Sequence, residues 1–383
     1  MKRITMILAA CALPALASAQ NYLIQDLGTL AGQSEAFAID GTGRALGSST
    51  QASAHFRAAA FDGTATALPE LFGFNEHYAF GADAQGNIYG TSYTLGGMTV
   101  GAFKITDGVA AGLGSFAARS VNSTGDVAGT TFASVSGLTL PRACFFQGST
   151  LTSLPTLGGL VGTGMAVDEL HRVAGSSSTA SEASVRPCLW VGGVPKDLGT
   201  LGGVNGQAAA IRGSVVVGHA QNAAGLRRAT MWLVDSAGNV LSTADLGALG
   251  AASSFALGVN QYADAVGTSG FHAVLWRGGQ TIDLNTVASG GDGWTLEKAW
   301  AIGDDGVIVG TGSLLGFPRA FKLIPCNLLC YADFDCNGFV NGVDFDEFVW
   351  LFSLGDPGAD IDHNGFVNGD DFDSFTAAFE AGC

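Results

Sequence analysis

Two segments near the C-terminus place oxygen-bearing side chains at one repeating spacing. Asp333, Asp335, Asn337, Asn341 and Asp344 occupy positions 1, 3, 5, 9 and 12 of a twelve-residue stretch, with Gly338 at position 6. Asp360, Asp362, Asn364, Asn368 and Asp371 repeat the pattern 27 residues later, with Gly365 at position 6. Calcium is a hard cation that takes about six to eight oxygen ligands at roughly 2.3 to 2.6 Å. Alternating Asp and Asn side chains can wrap such an ion, and the backbone carbonyls of Phe339 and Phe366 at position 7 complete the set. The spacing predicts two calcium ions, one per loop. Glycine at position 6 allows the sharp turn that a Cβ would obstruct. Val340 and Val367, at position 8, are expected to pair the two loops. Without metal the clustered carboxylates repel one another, so folding of this segment should be coupled to ion binding.

Each loop needs an element to hold it. Phe345, Phe348, Val349 and Phe352 follow the first loop at helical spacing, and Phe372, Phe375 and Phe379 follow the second, so each helix has one apolar face. These faces are expected to form the core of a small domain. Four cysteines, Cys326, Cys330, Cys336 and Cys383, lie in or beside it. They allow three pairings; because Cys326 and Cys383 flank the segment, one bridge is expected to clasp its ends.

Position 12 is Asp in both loops and no helix precedes either. In these respects residues 331–383 resemble the dockerin module, a duplicated calcium-loop and helix unit that in its family docks onto cohesin domains in polysaccharide-degrading assemblies. The resemblance implies calcium ligation at the residues named above, a cohesin-like or cell-surface protein as partner and a link to polysaccharide breakdown. Where dockerins commonly carry a hydroxyl pair before position 12, this chain has Gly342-Val343 and Gly369-Asp370, and its helices lack basic residues.

The remainder of the chain is a repeat. A short apolar segment, a turn and a second apolar segment ending in glycine recur, the glycines being Gly47, Gly90, Gly129, Gly175, Gly218, Gly267 and Gly310. Turn formers stand seven residues earlier as Asp40, Asp83, Asn122, Asp168 and Asn260. A third segment follows with an aromatic anchor, in turn Phe61, Phe103, Phe145, Trp190, Trp232, Trp276 and Phe321. A fourth is seen as Asp197-Leu-Gly, Asp245-Leu-Gly and Asp283-Leu. Short apolar segments bounded by Gly, Asn and Asp read as antiparallel strands, and four of them every 40 to 50 residues read as a propeller blade. The fold class predicted is all-β, a seven-bladed propeller followed by the small helical calcium-binding domain. The seventh copy lacks a fourth strand, while Tyr22–Gly28 is a fourth strand without a third. The two are expected to complete one blade.

Asp26-Leu-Gly-Thr-Leu, Asp197-Leu-Gly-Thr-Leu-Gly-Gly203 and Phe271-His-Ala-Val-Leu-Trp276 resemble the extracellular HAF repeat family, in which an Asp-Leu-Gly-x-Leu-Gly-Gly stretch accompanies His-Ala-Phe and an aromatic. The resemblance covers residues 22–325 and implies location and architecture rather than an activity. The His position reads Arg at Arg142, Arg228 and Arg319.

Composition sets the outer limits. The 383 residues include 57 Gly and 9 Pro but only 17 Lys and Arg against 33 Asp and Glu, which excludes a coiled coil and a disordered acidic chain. Residues 326–383 hold 12 acidic and no basic residues, so cation binding is expected there. Nothing provides the clustered Lys and Arg that nucleic acid or an anionic lipid surface would need. Met1 to Arg3, an apolar run to Leu16 and Ala17-Ser18-Ala19 form a secretory signal, too short to span a bilayer, and no second long apolar run follows. The domains expected are a signal peptide over 1–19, the propeller over 20–325, a linker over 326–332 and the calcium-binding module over 333–383. The location expected is secreted, extracellular or cell surface.

No His-Glu-x-x-His, Gly-x-Ser-x-Gly or phosphate-cradling loop occurs, and no catalytic residue or other cofactor is assigned. His55, His171, His219 and His272 fall at scattered repeat positions, and Cys144 and Cys188 at equivalent third-strand positions. The leading reading is a non-enzymatic binding platform for a partner or polysaccharide, anchored or docked by its tail. A glycoside hydrolase or lyase on a propeller scaffold and a structural surface-matrix component are the alternatives.

Overall fold

The computed structural model describes residues 21–383 except 98, 136, 182–183, 251–252, 327–329, 335–338, 363, 365 and 383. The chain divides into two compact units, Tyr22–Pro325 and one that contains Cys326–Cys383. Among the described residues no helix is long and apolar enough to cross a membrane.

Tyr22–Pro325 is a seven-bladed β-propeller. Its strands make seven sheets, six of four strands that run in chain order from an inner to an outer strand and one of five in which the first strand of the chain lies outside the last. Blade 1 is Ser34–Ile39, Ala45–Thr50, Phe56–Phe61 and Ala65–Ala67. The first strand of each blade touches the first strands of both neighbouring blades, and that of blade 7, Trp294–Ile302, touches that of blade 1. The ring is therefore closed. Tyr22–Asp26 supplies the missing fourth strand of blade 7, pairing antiparallel with Phe317–Pro325 in the register Tyr22↔Pro325 to Asp26↔Phe321. Closure of this kind uses the edge that an open array would expose. Blade 7 also carries two features that the repeat pattern did not predict. A helical turn α1, Leu284–Val287, leads into the short strand Ala288–Ser289, which pairs in parallel with Tyr22–Asp26.

The repeat glycines face a bulge. At each of the seven, an added Cβ would lie between 1.9 and 2.2 Å from a carbonyl oxygen of the first strand, as with Glu35 O at Gly47 and Ala117 O at Gly129. Beside each glycine the register slips by one residue: Ala36 pairs with Gly47 but Ala38 with Leu46, which leaves Phe37 unpaired. The slip recurs in the other six blades at Phe80, Arg119, Met165, Ala209, Leu257 and Trp300. Glycine is required because the bulged strand is pressed against it, and a bulge re-aims the extra side chain.

Apolar side chains between blades supply the stabilisation. Trp232 is fully buried in a cluster that joins Ala166, Leu189 and Leu198 of blade 4 to Ala208 and Val216 of blade 5. The anchor of blade 3 is Phe146 rather than Phe145. Phe146 faces Val127, two places beyond the Gly129 pair and in the position that Trp190 fills in blade 4, while Phe145 points to the other side of the strand and is half-buried.

Both halves of the recurring motif are structural. Asp26, Asp197 and Asp245 each accept a hydrogen bond from the glycine N–H two residues on, at 2.8 Å in all three cases. Two of these carboxylates also hold the third strand, through Arg186 to Asp197 at 3.1 Å and Arg228 to Asp245 at 3.2 Å. In blade 6 His272 Nδ1 takes that place against Asp283 at 2.6 Å. Histidine and arginine alternate here because either can bridge to the carboxylate.

Candidate metal centre

Two helices, α2 over Gly342–Leu354 and α3 over Gly369–Ala381, each begin at an asparagine cap. Asn341 accepts from Val343 N and Asn368 from Asp370 N, and the third helical residue, Asp344 or Asp371, accepts in return from the cap's own N–H at 2.8 Å. These are reciprocal capping boxes, which satisfy backbone donors that a helix start leaves free. The position-12 aspartates thus have a second role. Asp344 also accepts from Phe334 N at 2.9 Å and Asp371 from Ile361 N at 2.8 Å, so each ties the front of its loop to its helix.

The two halves pack around a near-symmetric cluster. Phe348 and Phe375 stack at 3.9 Å between centroids and 9° between planes. Around them Phe345 meets Phe379 and Phe352 meets Phe372, both at 5.6 Å, a reciprocal pattern with the same 27-residue offset as the loops. The helical apolar faces therefore form the core, together with Phe334, Leu351 and Ile361. Val340 and Val367 pack against that core, but no backbone bridge joins them among the described residues, so the expected pairing of the loops is corrected to side-chain packing.

In the second loop Asp360, Asp362 and Asp371 bring carboxylate oxygens within 4.8 Å of one another. Oxygens on opposite sides of one calcium ion stand at most about 5 Å apart, so the cluster has the span of a single ion's ligands. Asp360 and Asp371 are buried and Asp362 is exposed. Asn364, at position 5, donates its backbone N–H to Asp360 at 3.1 Å and to Asp362 at 3.0 Å, drawing the loop around the cluster. Phe366 N–H donates to Asn364 Oδ1 at 2.9 Å. An all-oxygen donor set selects a hard cation. Asn341 and Asn368, at position 9, use their side-chain oxygens to cap the helices. In the first loop Asp333, Phe339, Asn341 and Asp344 are described, whereas Asp335, Asn337 and Gly338 lie outside the described residues. Gly365 and His363 of the second loop lie outside them as well.

Cys326 and Cys330 each take part in a disulfide. Cys336 and Cys383 lie outside the described residues, and so does the expected clasp from Cys326 to Cys383. Cys144 and Cys188 are free and buried, and burial pushes the Cys144 thiol up to about 12 and raises that of Cys188 further. Neither is a nucleophile in that state.

The propeller histidines have structural partners. His77 Nδ1 lies 2.8 Å from Ser92 Oγ, but both residues are buried within blade 2, and burial lowers the His77 pKa. His171 pairs with Asp126 at 2.7 Å. His219 packs edge-on to Phe255 at 4.9 Å, and burial lowers its pKa to about 4.

Sequence reasoning missed the cavity that the seven bulged side chains line together. The bulged residues stand ten positions before the repeat glycine in six blades and nine before it in blade 5, whose inner turn is one residue shorter. That fixed offset was the available signal.

No family model matches the chain, and no curated protein matches it. Among solved structures, TolB from Acinetobacter baumannii is 11% identical with a TM-score of 0.41, over 75% of this chain and 65% of that one. The β-propeller domain of the Trilobed protease from Pyrococcus furiosus is 10% identical with a TM-score of 0.39, over 56% of this chain and 67% of that one. The chain thus covers less than two thirds of the TolB chain. At this identity the likeness is one of fold alone, and propellers carry both enzymes and non-enzymes.

Proposed function

We propose that this protein is an exported, non-enzymatic binding platform, a propeller that engages a partner or polysaccharide and a C-terminal module, dockerin-like and organised by two calcium ions, that anchors or assembles it. The observation that carries the reading is the convergence of Asp360, Asp362 and Asp371 in a loop whose sequence spacing recurs at Asp333–Asp344. Each loop feeds a helix whose capping box is closed by Asp344 or Asp371, the last ligand of its loop, so ion binding and helix formation share one carboxylate. An ion neutralises the acids that would otherwise repel, and folding of the module then depends on it. Export follows from the N-terminal signal pattern and places the protein where calcium is plentiful and disulfides persist. The link to polysaccharide breakdown rests on the dockerin resemblance.

The test uses the full chain. Titration with calcium after EDTA treatment should give two ions per molecule and restore helical circular dichroism that EDTA removes, while the β-signal stays. Asp371→Ala should abolish one site. A spectrum indifferent to EDTA, together with no measurable calcium uptake, would sink the proposal.

A further inference from the structure

The seven bulged side chains meet in the central channel. With Tyr78 and Tyr93 they line a cavity of about 290 Å³. The ring is lopsided. Blades 7, 1 and 2 contribute Trp300, Phe37 and Phe80, whose rings touch in series: Phe37 lies 5.6 Å from Trp300 at 80° and 5.2 Å from Phe80 at 34°. All three are half-buried. They form a curved aromatic wall rather than a parallel slot. Blade 3 contributes Arg119, whose guanidinium lies over the Phe80 ring at 5.4 Å.

Seven arginines of the propeller are ion-paired, among them Arg172, Arg186, Arg212 and Arg228. Arg119, exposed in the channel of a protein of net charge −16, has no ion pair or hydrogen bond among the described residues beyond its aromatic contact. A guanidinium presents a rigid fork of donors that matches a carboxylate in bidentate fashion. The rim beside the aromatic wall is polar. Tyr78 donates to Glu76 at 3.1 Å, Glu35 acts electrostatically on Tyr78 and on Lys298, and Lys298 lies 5.6 Å from the Trp300 ring. These groups lie toward the end of the channel where the first strands begin, since Glu76 pairs with Tyr93 and Glu35 with Ser48.

We propose that this cup binds an acidic sugar, a pyranose whose carboxylate pairs with Arg119 while its C–H face rests on Phe37, Phe80 and Trp300. The inference rests on the platform reading and adds the ligand class. A sugar ring suits a curved wall and uses the carboxylates and hydroxyls of the rim for its own hydroxyls. A flat aromatic acid could pair with Arg119 and stack on the wall but has no hydroxyls for the rim groups to hold. The volume is that of a small ligand, the end residue of a chain rather than a long segment.

The test titrates the full chain with digalacturonate, its uncharged methyl ester and benzoate, followed by calorimetry and tryptophan fluorescence. Digalacturonate should bind about tenfold or more tighter than the ester, the scale of one charge-assisted pair. Arg119→Gln should erase that preference, and Trp300→Ala should weaken both sugars, each variant keeping the parent's melting temperature. Equal binding of acid and ester, or benzoate binding as tightly as digalacturonate, would overturn the inference; sugar binding that Trp300→Ala weakens would still support the platform. Absence of binding by any probe would count against both.

Discussion

The propeller and the C-terminal unit reach stability by opposite means. In Tyr22–Pro325 the core is replicated: among the described residues six junctions between neighbouring blades bury an apolar cluster of their own, and the ring of first strands returns on itself. Its charges are balanced locally, acid against arginine in the same blade. Residues 326–383 have a cluster around Phe348 and Phe375, 12 acids and no lysine or arginine to offset them. A chain this small rarely holds itself together by burial alone. The lesson is that one region spreads its apolar burial over repeated seams, whereas the other gathers it in a single cluster beside a dense set of acids.

The sharpest way to break this contrast is to remove one aromatic from each core. Trp232→Ala and Phe348→Ala should each cost about 3–5 kcal/mol, the usual scale for a buried aromatic. In the propeller that loss should lower the main melting temperature and leave the β-sheet spectrum intact at room temperature. In the tail it should erase the helical signal. Equal global effects from both variants would show that the two units do not unfold separately.

A smaller effect should come from the buried ion pair of blade 4. Arg172 is 2% exposed, bonds Asp168 at 2.8 Å and reaches the carbonyl oxygens of Gly213 and, at 3.2 Å, Asp235 in blade 5. Arg172→Met should destabilise the propeller by about 3 kcal/mol, because it leaves a buried carboxylate without its cation. Thermal melts of the variant should show one shifted transition and an unchanged tail.

The least effect is one of pH. His219, with its pKa lowered to about 4, stays neutral in the native ring, whereas in the unfolded chain it takes up a proton near its ordinary value of about 6.5. Its contribution to stability is therefore complete above about 6.5 and lost as the pH falls toward 4. His219→Gln should flatten that part of the propeller's melting curve against pH. A variant with the parent's slope between those values would contradict the burial effect.

Much of this architecture is legible in the chain before any folding. Gly47 to Gly310 announce the blades because a close backbone approach admits no Cβ, and Asp40 or Asn122 announce the turns because their side chains cap the next N–H groups. The twelve-residue loops are legible because their acids recur at fixed intervals, and in the second loop Asp360, Asp362 and Asp371 converge. Phe145 shows the limit: adjacent aromatics in a strand face opposite sides, and only the pairing of Phe146 with Val127 tells which is inside.

What the sequence determined by itself is local, namely turn, glycine, cap and loop, where the interacting atoms lie within a dozen residues. The tertiary structure alone decided that Trp300, Phe37, Phe80 and Arg119 share one cavity, and that Tyr22–Asp26 completes the blade ended by Phe317–Pro325. Those contacts join residues tens to hundreds of positions apart, and ring closure, a property of all seven blades together, is what brings them into reach.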